Sequence, residues 1–442
     1  LKRLVVVGGG IAGLAGTRAA LDEASDRRLP LQVTLLEAGD RLGGKVRTDM
    51  IGDSLVEWGP DSFLAAKPGG RELCEMFGLV TVEPGPLASK TYLRLEGRLR
   101  PLPRGLAMGV PTGLRPLVGT MRAGIIGPMA AARAGLEPLM PRRAHQATVA
   151  EAARRRLGKK VARRLVEPLV MGVYGAPADE VAAEAVPGLA EARSVVLAMA
   201  RRPVSNGPAF LSVQGGMERM IECLAASVPD AELRTGERVR AVALDGSAYS
   251  VRTEEEHLKA DAVLIATEPV VAGEILVEAK ALTRVRMSSS VVVHLAWDPG
   301  SLAHPLDAAG YLSAPEEGAI VTAATFVRSK WPHVGTEGAL RVRATVTDRD
   351  MLARSDEDLI SLVAQEVGEV LGAAAQPREA RLRRWPRAIP IPSPEHRHLY
   401  AEAMEGLPGR VALAGAARGM VGIPDCARSG EEAGRALVAQ LA

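Results

Sequence analysis

Apolar and polar positions divide the chain into short hydrophobic runs, glycine turns and amphipathic stretches. The first run, LVVV at 4–7, reads as a short buried parallel strand. A glycine turn follows, then a helical stretch from Ile11 to about Ala24, then a second strand, QVTLLE, ending in Glu37. Beyond a turn at Gly59–Pro60–Asp61–Ser62, periodicity predicts a short helix from about Gly70 to Phe77. Thr148 and Glu151 have capping-box spacing and open one long helix, TVAEAARRRLGKKVARRLVEPLVMGVYGAP. ELRTGERVRAVALDG and KADAVLIATEP read as strands returning to the first sheet. From about Val270 to Arg384 strands such as SSSVVVHLAW and GALRVRATV alternate, with a helix at about 356–371. A strand ending at Gly415, a loop to Gly422 and a helix opened by Pro424 close the chain, proline being favoured in a first helical turn.

The opening strand–turn–helix carries chemistry. Gly8, Gly10 and Gly13 have GxGxxG spacing: the first begins a tight turn, the second admits a pyrophosphate to the backbone, the third lets helix pack on strand. With Gly9, Ile11 and Ala12 they present free N–H groups and a helix dipole to an anion. Glu37, followed by Ala38, is placed to accept hydrogen bonds from a ribose 2′-OH. Arg41, Gly43, Gly44 and Lys45, with Arg47 beyond, make a glycine turn whose cations suit the other side of a diphosphate, or a solvated surface turn.

Composition narrows the field. A chain of 442 residues predicts two or three domains, and 47% hydrophobic with 24% charged residues is ordinary for a soluble protein. An aromatic content of 3% leaves few stacking platforms, which argues against nucleic acid as partner. The net charge is only +3, but local arginine clusters point to an acidic small molecule or an anionic surface. Cys74, Cys223 and Cys426 are far apart in sequence, so neither a metal site nor a disulfide framework is expected and a reducing cytoplasm is the expected setting. No leader and no transmembrane run are expected. From Pro101 to Met140 the only acid is Glu137, and short basic, apolar helices there would suit a membrane surface, a substrate entrance or plain packing. The cations between Arg154 and Arg164 read as a solvated helix face. There is no GxSxG, HExxH or P-loop, and His145, His257, His294, His304, His333, His396 and His398 are scattered, as surface or core residues rather than catalytic bases.

GGGIAGL, EAGDRLGGKVRT, EWGPDSF and the late VGIPDC together resemble the flavin-containing amine oxidase superfamily, and within it the protoporphyrinogen/coproporphyrinogen oxidases of haem synthesis. Ser329–Lys330–Trp331–Pro332–His333 is similar to the branch in Gram-positive bacteria, whose substrate is coproporphyrinogen III. The resemblance implies an α/β fold with a Rossmann-like FAD-binding domain of glutathione-reductase/amine-oxidase type in three pieces, 1–75, 205–270 and 385–442. A helical, membrane-facing or substrate-entrance domain at 76–204 and a mixed-sheet substrate domain at 271–384 complete it. It implies FAD along the glycine loop, Glu37–Lys45 and Gly59–Ser62, with Val239 at the adenine, Ala266–Thr267 in a strand-end turn near the cofactor and Trp385 against the flavin. Gly415, Val421, Gly422 and Ile423 would bring a helix N-terminus to the ring, where its dipole favours the charge of the reduced form. No catalytic side chain beyond the flavin is expected.

The implied reaction is three two-electron oxidations of the macrocycle, with dioxygen as acceptor and hydrogen peroxide as product; peripheral membrane contact and hand-over to a downstream haem-pathway enzyme are further expectations. Four propionates call for cations. Lys90, Lys330 and Arg343 are candidates, although a solvated strand face would also account for them. Competing readings are protoporphyrinogen oxidation, an amine oxidase or desaturase on the same fold, and a flavin- or haem-handling module without turnover. Departures from the family pattern at Gly175–Pro177 and Ile391–Pro392 keep the last one open.

Overall fold

The computed structural model describes residues 1–140, 147–201, 207–334 and 338–442. His145, the expected boundary at residue 205 and positions 335–337 of the segment after His333 lie outside them.

One unit gathers Leu1–Glu83, Gly207–Val285 and His396–Ala442. Its centre is an all-parallel sheet in the order Ala231–Thr235, Leu31–Glu37, Lys2–Val7, Ala262–Ile265, Val411–Leu413. Residues 4–7 and 262–265 are buried throughout, as strands covered on both faces must be. Leu14 of the Ile11–Asp26 helix and Leu437 of the Ile423–Leu441 helix share a core with Leu264. These first and last helices approach closely because both are glycine-bearing: a Cβ on Gly430 would lie 2.0 Å from the Ala12 carbonyl oxygen, and one on Gly434 2.2 Å from that of Gly16. Chain order reverses at the Lys2–Val7 strand, so a crevice opens at its C-terminal end.

One expected strand goes elsewhere. Ala241–Asp245 pairs with Ala248–Arg252, and that strand with His257–Ala260, in a separate antiparallel sheet. Val242 and Val251 are buried while Ala243 and Asp245 are exposed, and a strand with one wet face does not suit a doubly covered parallel sheet.

The second unit comprises Pro84–Asn206 and Arg286–Glu395. It holds a mixed seven-stranded sheet in the order Glu379–Trp385, Ser290–Trp297, Leu340–Val346, Ala323–Phe326, Gly310–Ser313, Tyr92–Leu95, Arg98–Pro101. Val291, Val293, Leu295 and Trp297 pack with Leu359, Val363, Val367 and Leu371 of the Asp356–Leu371 helix. Ser355 caps that helix by accepting from Asp358 N, and Gly372, at φ 64°, ends it.

The long helix expected from Thr148 is broken. The Thr148 cap forms, but Val149–Leu157 ends at Gly158, whose φ of 90° takes the chain out of helical geometry. A second helical run then leads through a π turn at Ala162–Val166 to Glu167–Tyr174. Nor are its cations simply solvated. Arg154 pairs with Glu167 and Asp179, Arg156 with the buried Glu137, and Arg164 with Glu316. The departures from the family pattern serve this unit's own packing: Gly175 is the left-handed C-cap of the Glu167–Tyr174 helix, and Ile391 is buried in the helical core.

Candidate functional site

At the crevice the glycines divide by what their hydrogen atoms touch. A Cβ on Gly8 would come 2.7 Å from the Ala266 carbonyl oxygen, on Gly9 2.6 Å from Leu42, and on Gly13 1.9 Å from the Gly8 carbonyl oxygen. Gly8 and Gly13 are demanded by backbone packing, whereas the Leu42 side-chain tip beside Gly9 can shift. Gly10 is not demanded by packing, since a Cβ there would meet nothing within 4 Å. Gly10 is the N-cap of the first helix, with no side chain capping it, so its open flank and the helix's first N–H groups form an anion cradle.

Other segments close around that cradle. Gly43 N donates to Gly9 O at 2.8 Å and Gly44 lies against Gly10, its built Cβ 3.6 Å from Gly10 Cα. Glu37 accepts from Gly9 N and Gly39 N, each at 2.7 Å, which fixes its carboxylate at the end of its strand. Glu237 N donates to Glu37 O and Gly236 N to Gly39 O, so the segment leading to the buried Val239 is stitched to the same strand end. Ala266 N donates to Val7 O at 2.8 Å. A Cβ on Gly415 would come 2.8 Å from Ala12 Cβ, which sets the last loop on the first turn of the first helix. Gly59 stands where a Cβ would be 1.8 Å from Lys45 O, bringing Pro60, Asp61 and Ser62 beside the Gly43–Lys45 turn.

The cations of this turn are engaged. Arg41 pairs with Glu218 at 2.7 Å and donates to the carbonyls of Leu42, Gly44 and Val46. Lys45 lies 3.2 Å from Glu268, and Arg47 pairs with Asp49 at 3.1 Å. Glu218 also accepts from Thr48 N, and the buried Glu57 accepts from Thr48 Oγ1 and Met217 N. Arg41 thus holds the shape of its turn through a carboxylate 177 residues away, a partner no local pattern announces. Lys67 pairs with Asp425, and a Cβ on Gly69 would sit 2.7 Å from Pro424 O, so the Gly422–Ile423 helix start is clamped to the segment after Ser62. Sequence reasoning missed this clamp; the G-x-x-x-G spacing of Gly430 and Gly434 was a readable sign of the helix contact behind it.

Burial pushes the Cys74 thiol up to about 11 and that of Cys426, with Asp425 adding to the effect, to about 12, so neither is a ready nucleophile.

In the second unit, Lys90 Nζ lies 2.5 Å from Asp307 and 4.5 Å from the Tyr92 ring centroid, and Tyr92 donates to the same carboxylate. Donating to Asp307, and its bond with Tyr92, hold the Lys90 ammonium above its usual range, and accepting from Lys90 holds Asp307 below its own. Lys330 O accepts from Gly85 N at 2.9 Å, placing Lys330 beside the Pro86–Ser89 turn that precedes Lys90. Its ammonium is 5.4 Å from the Trp331 ring. Arg343 stands apart, on the sheet between His294 and Thr325. Trp385 ends the edge strand, 5.5 Å from the Arg383 guanidinium.

A parallel sheet whose order reverses beside a glycine-bearing helix N-terminus is the arrangement found in dinucleotide-binding folds. The profile of the flavin containing amine oxidoreductases matches residues 11–438, and the chain belongs to that family. Its cofactor is therefore a flavin, its fold the expected Rossmann-like α/β type, and its activity that of an oxidoreductase. Within the family it is similar to proteins from Gram-positive bacteria. It is 29% identical over 459 residues to the coproporphyrinogen III oxidase of Bacillus subtilis, with 98% of this chain and 97% of that one covered. It is 31% identical over 454 residues to the coproporphyrinogen III oxidase of Mycobacterium tuberculosis strain H37Rv, with 99% and 96% covered. A crystal structure from Exiguobacterium sp. 255-15, named "Putative protoporphyrinogen oxidase", has a TM-score of 0.87 and 28% identity, with 99% of both chains covered.

Proposed function

We propose that this chain is an FAD-dependent oxidase that converts coproporphyrinogen III to coproporphyrin III in haem synthesis. The observation that carries the reading is its similarity, along 98% of its length, to the B. subtilis protein of that name. Bound FAD supplies a two-electron acceptor, used three times per macrocycle, with dioxygen as final acceptor and hydrogen peroxide as product. The protein's part is to hold and polarise. The N–H groups at Gly10–Gly13 and the Gly43–Gly44 turn take the diphosphate, Glu37 the ribose hydroxyls, Val239 the adenine, and the first turn at Ile423 the charge on the reduced ring. Ala38, Ala266, Trp385, Gly415 and Val421 complete that set, while Lys90 and Lys330 are candidate propionate partners. Lys90 would have to leave Asp307 to act as one.

Among the described residues no helix is long and apolar enough to cross a membrane. Leu114, Met129 and Leu139 are 75%, 88% and 81% exposed, with Arg115 and Arg122 nearby in sequence, which supports a peripheral contact with an anionic lipid surface. The name of the Exiguobacterium protein favours a second reading, protoporphyrinogen IX as main substrate. The test is anaerobic addition of coproporphyrinogen III to purified yellow protein: bleaching is expected, and its absence refutes the reading. Initial rates on the two porphyrinogens then decide between the substrates.

A further inference from the structure

The two faces of the seven-stranded sheet differ. One lies under the Asp356–Leu371 helix and is apolar except for Arg94 and Arg384, which pair with Glu366 and Asp356 of that helix. On the other face, Leu93, Leu95 and Leu312 at the Gly310–Ser313 and Tyr92–Leu95 end pack into the helical core. Beyond them, across the Leu340–Val346, Ser290–Trp297 and Glu379–Trp385 strands, the same face turns cationic. Register sets His294 between Arg343 on one neighbour and Arg381 on the other, and the next rung on that face sets Val292 between Thr345 and Arg383. Arg341 is buried and bonded to Glu379, the one acid at the sheet positions of this face. Arg343, Arg381 and Arg383 bring three guanidinium groups to this face, and that of Arg383 lies over the Trp385 ring. Arg343 and Arg383 are two strand spacings and one rung apart, roughly 12 Å, farther than one carboxylate reaches.

We propose that Arg343, Arg381 and Arg383 form a polycarboxylate clamp that sets the preference of the enzyme for a macrocycle with four carboxylates over one with two. The inference rests on the porphyrinogen reading above and deepens it. A guanidinium fork binds a carboxylate through two parallel hydrogen bonds. A ligand with acidic arms on several sides can engage forks on both flanks of the Ser290–Trp297 strand, whereas one with two adjacent arms satisfies only one flank.

The test uses flavin-loaded wild type and the variants Arg343→Gln, Arg381→Gln, Arg383→Gln and Arg383→Lys, each checked for flavin content and melting temperature. KM and kcat are measured on coproporphyrinogen III and protoporphyrinogen IX, and binding of coproporphyrin III is followed by its fluorescence. Losing one charge-assisted pair should raise KM for the four-carboxylate substrate ~10-fold or more, with kcat and the two-carboxylate KM within ~3-fold. Coproporphyrin binding should weaken in parallel, and Arg383→Lys should recover part of the loss. Folded variants that keep the wild-type ratio of KM values overturn the clamp and leave the porphyrinogen reading standing. A wild type that oxidises neither substrate defeats that reading itself. Should Arg343→Gln fail to fold, the exposed Arg381 carries the same comparison.

Discussion

Gly10 and Gly13 stand three residues apart in one motif, yet their alanine variants should fail in different ways. At Gly10 the backbone, φ −74° and ψ 179°, is one that alanine adopts freely, and the added methyl meets nothing within 4 Å. Gly10→Ala should therefore leave the apoprotein as stable as wild type or stabilise it by ~0.4–1 kcal/mol through the unfolded chain. At Gly13 the methyl would lie 1.9 Å from the Gly8 carbonyl oxygen, where ordinary contact begins at 3.4 Å. Neither backbone can yield without lifting the first helix from its strand, so Gly13→Ala should cost ~3 kcal/mol or more, the upper end of overpacking. Urea denaturation of the apoproteins measures these terms, and quenching of flavin fluorescence measures binding. Gly10→Ala should show the wild-type midpoint with FAD affinity lowered ~10- to 100-fold, because its methyl takes the space a diphosphate needs. Wild-type FAD affinity in Gly10→Ala would falsify the cradle and the cofactor placement built on it.

Four further outcomes are expected. Gly430→Ala, with its Cβ 2.0 Å from Ala12 O, should lower the urea midpoint by the equivalent of ~1–3 kcal/mol. Tyr311→Phe should raise the midpoint slightly, by up to ~1 kcal/mol, because the fully buried hydroxyl has no hydrogen-bond partner among the described residues; a clear loss of stability would mean that it is satisfied. Glu137→Ala removes a buried carboxylate that accepts from Ser194 Oγ and Val195 N and pairs with Arg156 at 3.0 Å, so calorimetry should show a loss of ~3–5 kcal/mol. Burial lowers the His304 pKa, so the unfolded imidazole takes up a proton more readily than the folded one. Its contribution is complete above pH 6.5 and falls away as the pH drops below that value, and denaturation of His304→Gln across this range should show a shallower acid loss than wild type.

The parts legible in the sequence were those with local causes. Apolar runs at 4–7, 33–36 and 262–265 needed only their own composition to read as buried strands, and the helix expected at 356–371 appears as Asp356–Leu371, between a serine cap and a left-handed glycine. What escaped depended on partners far along the chain. The cations at 154–164 looked solvated because their carboxylates, such as Glu137 and Glu316, come from other segments. Gly158 was a local sign that went unused, since a glycine inside a helical pattern can end it. For the Ala241–Asp245 strand the alternation was present, but its one buried face, rather than its β-propensity, decided which sheet it joined.

The site itself shows why both chain ends matter. Gly8–Gly13 and Gly415–Ile423 meet because Gly430 and Gly434 let the last helix seat on backbone carbonyls of the first, while Lys67 holds Asp425 from a third segment. A ligand that binds only when these pieces are assembled stabilises the unit by mass action, about 2.7 kcal/mol at a hundredfold excess over its Kd. That is comparable with the cost of overpacking one glycine. Flavin should therefore mask much of the damage at Gly430, where the crevice survives once the helices adjust. It has far less affinity with which to compensate at Gly10, where the injury is to the binding surface and leaves the fold intact.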